Sequence, residues 1–171
     1  PFIMKESELQ TLIKKYRVPL NILSHMRQVS YVGLYLAYKM RSKVPRLNLK
    51  AVRQAALLHD VVKLVAFKTV DTRLLQQKYT QTDVVFWQKL IKKYHAIGHA
   101  EAGFQIVSAL GHHQIAKIIK KHGFNSLIAP SARLRPTTWE EKIIYYADKR
   151  VKHDQIVSLK ERLSDGQRRY F

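Results

Sequence analysis

The sequence predicts an all-α helical bundle folded as a single domain over residues 1–171. Three observations carry that reading. Apolar residues recur at i, i+3, i+4 and i+7 through most long segments. Helix-start residues stand before several of those runs. No segment alternates apolar and polar residues in a way that would build a sheet, and there is no internal repeat or low-complexity tract. At this length the chain can bury a core without disulfides or a structural metal.

The elements follow in order. From about Pro19, residues Val29, Val32, Leu36, Ala37 and Met40 fall on one helical face. Asn48 is placed as an N-cap, and Ala51, Val52, Ala55, Leu58 and Val62 form the next buried stripe, with His59 and Asp60 near its C-terminal end. A less regular stretch runs from Ala66 to Thr82. Asp83 then caps a helix carrying Val84, Trp87, Leu90 and Ile91, and another helix runs from about Gly98 to Leu110. Gly111 and Gly123 bracket the short amphipathic segment HHQIAKIIKKH. The Pro-, Ser- and Arg-containing FNSLIAPSARLRP reads as an exposed loop whose basic residues could reach a ligand. Thr137 and Thr138 precede Glu140 and Glu141 at capping-box spacing, which puts Asp148 on the helix that follows.

Composition narrows the chemistry. With no cysteine, a disulfide framework and a zinc finger are both excluded, and any metal must take nitrogen and oxygen ligands. No apolar stretch approaches the roughly 18 residues that span a bilayer, and the N-terminus has no signal-peptide pattern. A cytoplasmic protein is expected, and one beginning at Pro1 reads as a trimmed piece that further domains could flank. The formal charge of +19 predicts attraction to polyanions. Between Val84 and Trp139 the only acid is Glu101, against Lys89, Lys92, Lys93, Lys117, Lys120, Lys121, Arg133 and Arg135, so this stretch is the expected basic face. A nucleic-acid surface and a set of solvated helix faces are both open readings of it.

The chemistry-bearing constellation centres on AALLHDVVK, where His59 and Asp60 are adjacent. His25 lies upstream in LSHMRQVSYVG and Asp148 downstream in YYADKRV. A lone helical histidine is usually a core or surface side chain, so the joint occurrence carries the argument. Imidazole and carboxylate together suit Mn, Fe, Co, Ni or Zn, and a partial shell leaves positions for water and phosphate. Water bound to such an ion loses a proton near neutral pH, which makes phosphoester hydrolysis feasible.

Those four residues spell H…HD…D, and from about Ser24 to Arg162 the chain resembles the HD phosphohydrolase superfamily. The resemblance implies an HD-type helical bundle with a motif-bearing core of about residues 19–162. It implies that His25, His59, Asp60 and Asp148 hold a divalent metal. In HDIGK-type members the lysine near the metal helps hold phosphate, and Lys63 has that place here, although Val61 and Val62 stand where the pattern has Ile-Gly. The segment GHAEAGFQIV is similar to the HAEAGA segment of dinuclear members, which would make His99 a ligand of a second metal. By the same resemblance IIKKHG nominates His122, with His112 and His113 as alternatives, and Asp60 would bridge one ion to the other.

The substrate is narrowed by contrast. Guanosine-tetraphosphate hydrolases have a Glu-Asp pair where Lys63 and Leu64 stand, and deoxynucleoside monophosphatases have an acid at the place of Lys63. No GYP motif of the cyclic-di-GMP phosphodiesterase kind follows the HD pair. The remaining similarity is to HDIGK-type enzymes, including bacterial dinucleoside polyphosphate hydrolases and the phosphodiesterase domains attached to RNA-processing proteins. The expected activity is metal-dependent hydrolysis of a nucleotide phosphoester or phosphoanhydride by water, with Asp60 or a metal-bridging hydroxide handling the proton and Lys63 steadying phosphate charge. Arg27, His95, Lys149 and Arg150 are candidate substrate contacts, although one helical step turns Lys149 about 100° away from Asp148. Two other readings compete: a basic RNA-binding or adaptor module with a vestigial HD site, and an HD-type nuclease.

Overall fold

A computed structural model describes residues 3–75, 77–123, 126, 131 and 135–170, the side chains of Leu74, Arg169 and Tyr170 excepted. Most of the expected loop FNSLIAPSARLRP, Arg133 included, lies outside the described residues. The helices are α1 (Glu6–Lys15), α2 (Leu20–Met40), α3 (Leu49–Leu58), α4 (Gln81–Tyr94), α5 (Gly98–Ala109), α6 (His113–Lys120), α7 (Trp139–Lys149) and α8 (Leu159–Tyr170). Between α7 and α8 a short antiparallel hairpin pairs β1 (Val151–Lys152) with β2 (Gln155–Ile156). Single 3₁₀ turns occupy Lys63–Ala66, Thr72–Leu74 and His95–Ile97.

Helix α3 forms the centre of the bundle. Ala51, Val52, Ala55, Ala56 and Leu58 are fully buried on it, and α1, α2, α6 and α7 pack around it. Small residues on α3 let those helices approach closely. On the other side of α6, Gly103 of α5 does the same: a Cβ there would lie 3.1 Å from Ile119, tighter than most real contacts. That close approach brings the N-terminal turn of α5, and His99 with it, towards the end of α6.

Local chemistry sets the helix starts. The Asn48 side chain accepts from the Ala51 amide at 3.0 Å, while the Asn48 amide donates to Glu140 at 2.9 Å, tying the start of α3 to the start of α7. Helix α7 opens with the expected capping box, formed by Thr138 and Glu141. For α4 the cap is Thr80 rather than Asp83. Asp83 sits three residues in and completes the box by accepting from the Thr80 amide at 2.8 Å. An acid at either position satisfies orphan amides, so composition alone did not separate the two.

The HD pair also sits differently from expectation. The α-helix ends at Leu58, His59 is its C-cap, and the chain tightens into i→i+3 turns with Val61 N bonded to Leu58 O and Lys63 N to Asp60 O. Val62 has φ −121°, an ordinary value for a β-branched residue, so valine is accommodated where the motif has glycine. The expected basic face between Val84 and Trp139 is partly neutralised. Lys120 pairs with Glu101 at 2.8 Å and Lys121 with Glu141 at 3.0 Å.

Glu141 is buried and accepts from the Thr137 and Thr138 amides, the Thr137 hydroxyl and Lys121. Burial pushes its carboxyl up, but these donors outweigh burial and hold it below the ordinary value of 4.5. A group depressed in the folded state stabilises above its unfolded pKa, and that stability drains away as pH falls through the folded value. Glu141→Ala should therefore cost about 1–3 kcal/mol near neutral pH. In thermal melts the gap between wild type and variant should narrow as the pH is taken well below 4.5.

Candidate metal centre

Five elements deliver side chains to one buried point. His25 comes from α2, His59 and Asp60 from the end of α3, His99 from the first turn of α5, His122 from just beyond α6, and Asp148 from the last turn of α7. His59, Asp60, His122 and Asp148 are buried, and His25 and His99 are partly so.

Asp60 is central. Its Oδ2 faces His59 Nε2 at 3.5 Å and His25 Nε2 at 3.8 Å, while its Oδ1 faces His99 Nε2 at 3.2 Å and His122 Nε2 at 3.3 Å. The two oxygens of one carboxylate thus look at two different pairs of imidazoles. Asp148 closes the first side, with Oδ1 at 3.1 Å from His25 Nε2 and 3.7 Å from His59 Nε2. His99 and His122 meet on the other, Nε2 to Nε2 at 3.0 Å. Two groups of potential ligands result, His25 with His59 and Asp148, and His59 with Asp60 and His122.

Backbone carbonyls decide which nitrogen faces inward. His59 Nδ1 lies 2.7 Å from Ala56 O, His122 Nδ1 2.6 Å from Ile119 O, and His25 Nδ1 2.7 Å from His153 O. A carbonyl only accepts, so each Nδ1 carries a proton and each Nε2 points into the cluster, where it can offer a lone pair to a cation or a proton to a carboxylate. At His59 this leaves Nε2 buried with no hydrogen-bond partner, facing carboxylate oxygens. Two acids facing that nitrogen call for positive charge between them, as a proton on Nε2 or as a cation. A divalent cation meets that requirement, and the all-N/O donor set suits one.

The electrostatics agree with closely coupled charges. Burial pushes the Asp60 carboxyl up, but Lys63 and the surrounding imidazoles outweigh it and hold the group well below the usual carboxylate range. Asp148 is held low in the same way, chiefly by Lys149 and then by His25 and His59. Burial, with Lys63 adding to it, takes His99 down to about 4. Burial also lowers His122, against the pull of Asp60. For His59 burial acts downward, yet Asp60 and Asp148 bring it above its ordinary value.

The other expected site residues are placed as follows. Lys63 borders the cluster, its Nζ 3.2 Å from Asp60 Oδ2 and 3.3 Å from His99 Nε2. His95 is exposed beside it, its Nδ1 bonded to Val65 O at 2.9 Å. The structure brings His122 rather than His112 or His113 to Asp60. His112 is buried against Glu8 of α1 at 3.0 Å, and His113 is exposed at the start of α6. Three expected substrate contacts need correction. Lys149 is buried: its ammonium donates to Asp148 Oδ2 and to His122 O, and it lies over the Tyr145 ring, so it braces Asp148 against the end of α6 and does not face outward. Arg150 turns to the hairpin, donating to Val157 O at 2.7 Å and to the Tyr146 hydroxyl at 3.0 Å. Arg27, two residues from His25, is about 200° round α2 from it and lines a cleft with Gln10, Ser30 and Arg53 on another face.

Sequence reasoning missed one contributor altogether, the carbonyl of His153. It sits in the hairpin turn at φ 56°, a left-handed value that non-glycine residues seldom take, and it holds His25 in its tautomer. Only the His153-Asp154 pair between short β-prone runs could have signalled the turn.

Comparison with curated proteins and with solved structures finds no match at the threshold used. The HD domain family model matches residues 22–151, a span that takes in all six clustered histidines and aspartates. Members of this family are in general metal-dependent phosphohydrolases that bind divalent ions. By that match the chain belongs to the HD domain family.

Proposed function

We propose that this protein hydrolyses a nucleotide phosphoester or phosphoanhydride, using a divalent-metal centre held by His25, His59, Asp60 and Asp148, with His99 and His122 completing a second metal position. The observation that carries the proposal is the convergence of oriented Nε2 atoms on two buried carboxylates, with His59 Nε2 left without a hydrogen-bond partner. A bound divalent ion supplies Lewis acidity and a water acidic enough to attack phosphorus near neutral pH.

The chain's own residues do the rest. The carbonyls of Ala56, Ile119 and His153 fix ring orientation before any ligand arrives, so little reorganisation is left to the reaction. Asp60 offers one oxygen to each side of the cluster and can hold a proton passing between them. Lys149 ties Asp148 to the end of α6, which keeps that carboxylate ionised and aimed inward. Lys63 is an ammonium at the edge of the cluster with a partly exposed side chain, well placed to meet non-bridging phosphoryl oxygens. His95, on the turn next to Lys63, can reach the same oxygens through its free ring edge. A single domain spanning the whole chain is part of the same proposal.

The first test is a screen of metal-loaded protein against nucleoside monophosphates, dinucleoside polyphosphates, cyclic dinucleotides and short RNA, with turnover of at least one class expected. His59→Ala and Asp60→Ala should each abolish turnover and metal uptake while far-UV circular dichroism keeps its helical signature. Full activity in either variant would sink the mechanism. Lys63→Ala is expected to lower kcat/KM by about tenfold or more with metal content intact, because an ammonium binds phosphate rather than metal. Metal analysis of anaerobically purified protein should approach two ions per chain, falling towards one in His99→Ala or His122→Ala. A wild-type content of one ion, unchanged by either substitution, would confine the centre to His25, His59, Asp60 and Asp148.

A further inference from the structure

From Leu9 to His59 the chain carries ten lysines and arginines and no acidic residue. Helix α2 runs through the middle of this segment. Its buried face carries Met26, Val29, Gly33 and Ala37, and its outward face carries an aromatic row. Tyr31, Tyr35 and Tyr38 are 65%, 56% and 60% exposed, unusually high for three large rings on one helix. At 100° per residue these three and Arg27 fall within about 80° of one another, so they form one stripe. Cations accompany the rings. Lys39 lies over Tyr35 at 5.7 Å and Arg41 over Tyr38 at 5.5 Å.

We infer that this face of α2 binds single-stranded nucleic acid, with bases stacked on the tyrosines and phosphates met by Arg27, Lys39 and Arg41. A helix rises 1.5 Å per residue, which puts the rings about 6 Å and about 4.5 Å apart along the axis. Those steps are longer than the roughly 3.4 Å between successive nucleotides of a stacked strand, so each ring can take one base of an opened strand. Stacking is tolerant of base identity, because every base has a π face, and flanking cations add affinity without sequence preference. A duplex hides its base faces and gains only the charge.

The chemistry separates this occupant from the alternatives. A helix that inserts into a membrane presents Leu, Phe or Trp, whereas every ring here ends in a hydroxyl. A helix that docks a protein partner presents an apolar face, but this stripe carries hydroxyl-bearing rings and cations, and its stretch of sequence holds no acid. Arg17 and Arg53 of this segment pair with Asp83 and Glu6, as Lys120 and Lys121 elsewhere pair with Glu101 and Glu141, whereas Lys39 and Arg41 lie over the tyrosine rings. His25 projects from another face of the same helix, so the stripe does not depend on the metal centre.

Metal-stripped protein and a fluorescein-labelled oligouridylate of about twenty nucleotides suffice for the test, read by fluorescence anisotropy. Binding is expected at about 50 mM salt and should weaken steeply towards about 200 mM. Tyr31→Ala/Tyr35→Ala/Tyr38→Ala should weaken it by roughly tenfold or more with an unchanged circular dichroism spectrum, since alanine is a good helix former and the rings are exposed. Binding of a duplex of similar length should barely respond to that variant. Lys39→Ala/Arg41→Ala, which leaves the rings in place, should reduce the salt slope by about two. No binding at low salt, or wild-type affinity in both variants, would overturn the inference. So would a triple variant that keeps its affinity for the oligonucleotide but loses it for phosphatidylserine-containing vesicles, because the face would then belong to a membrane.

Discussion

Two carboxylates buried within reach of the same imidazoles are the constraint on which the rest of the structure depends. Removing an ionised acid from water costs several kcal/mol even after relaxation, and the cost grows when a second acid lies nearby. The fold answers with positive charge placed at both acids. Lys63 reaches Asp60, and Lys149 reaches Asp148 from the next position in the chain. Packing follows from this arrangement. Lys149 can be buried only because it also donates to His122 O, so the end of α7 must lie against the end of α6. Such a cluster adds little to stability, which rests instead on the apolar faces around α3.

The same device orients two of the histidines. His59 follows the last residue of α3, and His122 lies two residues beyond the last of α6; each gives Nδ1–H to a carbonyl three residues back. The last four carbonyls of any helix lack intrahelical donors. A histidine placed there satisfies one of them and in doing so commits its other nitrogen to the interior. His25 sits mid-helix, where carbonyls are already used, and must borrow one from a remote hairpin. That explains why a two-residue turn carrying a left-handed histidine is built against α2.

Much of this was legible in the sequence, and the gaps have physical reasons. The helical stripes around Val29 and Ala55, the Asn48 cap and the Thr138–Glu141 box are local patterns, fixed by neighbours within one turn. The HD pair and its outlying partners could be read as a metal set from residue type. Helix α1 was not read, and neither was the hairpin, whose pairing is only two residues long on each strand. Lys149 and Arg150 read as candidate substrate contacts in the sequence because composition shows there before burial does. Arg27 was grouped with His25 by proximity in the chain, although two helical steps carry a residue to the far side. His122 could not be separated from His112 and His113 by spacing. Only the position of each relative to the ends of α6 tells them apart.

Charge on this chain therefore does two kinds of work at two depths. Inside, each lysine is matched to a carboxylate, and the match holds ligands in register at close quarters and low dielectric. Outside, the excess is distributed unevenly. The segment from Leu9 to His59 holds no acid of its own, and acids from outside it reach only some of its cations, Asp83 pairing with Arg17 and Glu6 with Arg53. Uniform repulsion for solubility would not need that asymmetry, nor would it place tyrosines among the cations. An α2 with one face given to His25 and another to an aromatic, cationic row has its orientation fixed from both sides. Rotating it to improve either face would spoil the other, and it would also break the packing at Gly33, where Val52, Ile144 and Ala147 each lie within 4 Å of where a Cβ would stand.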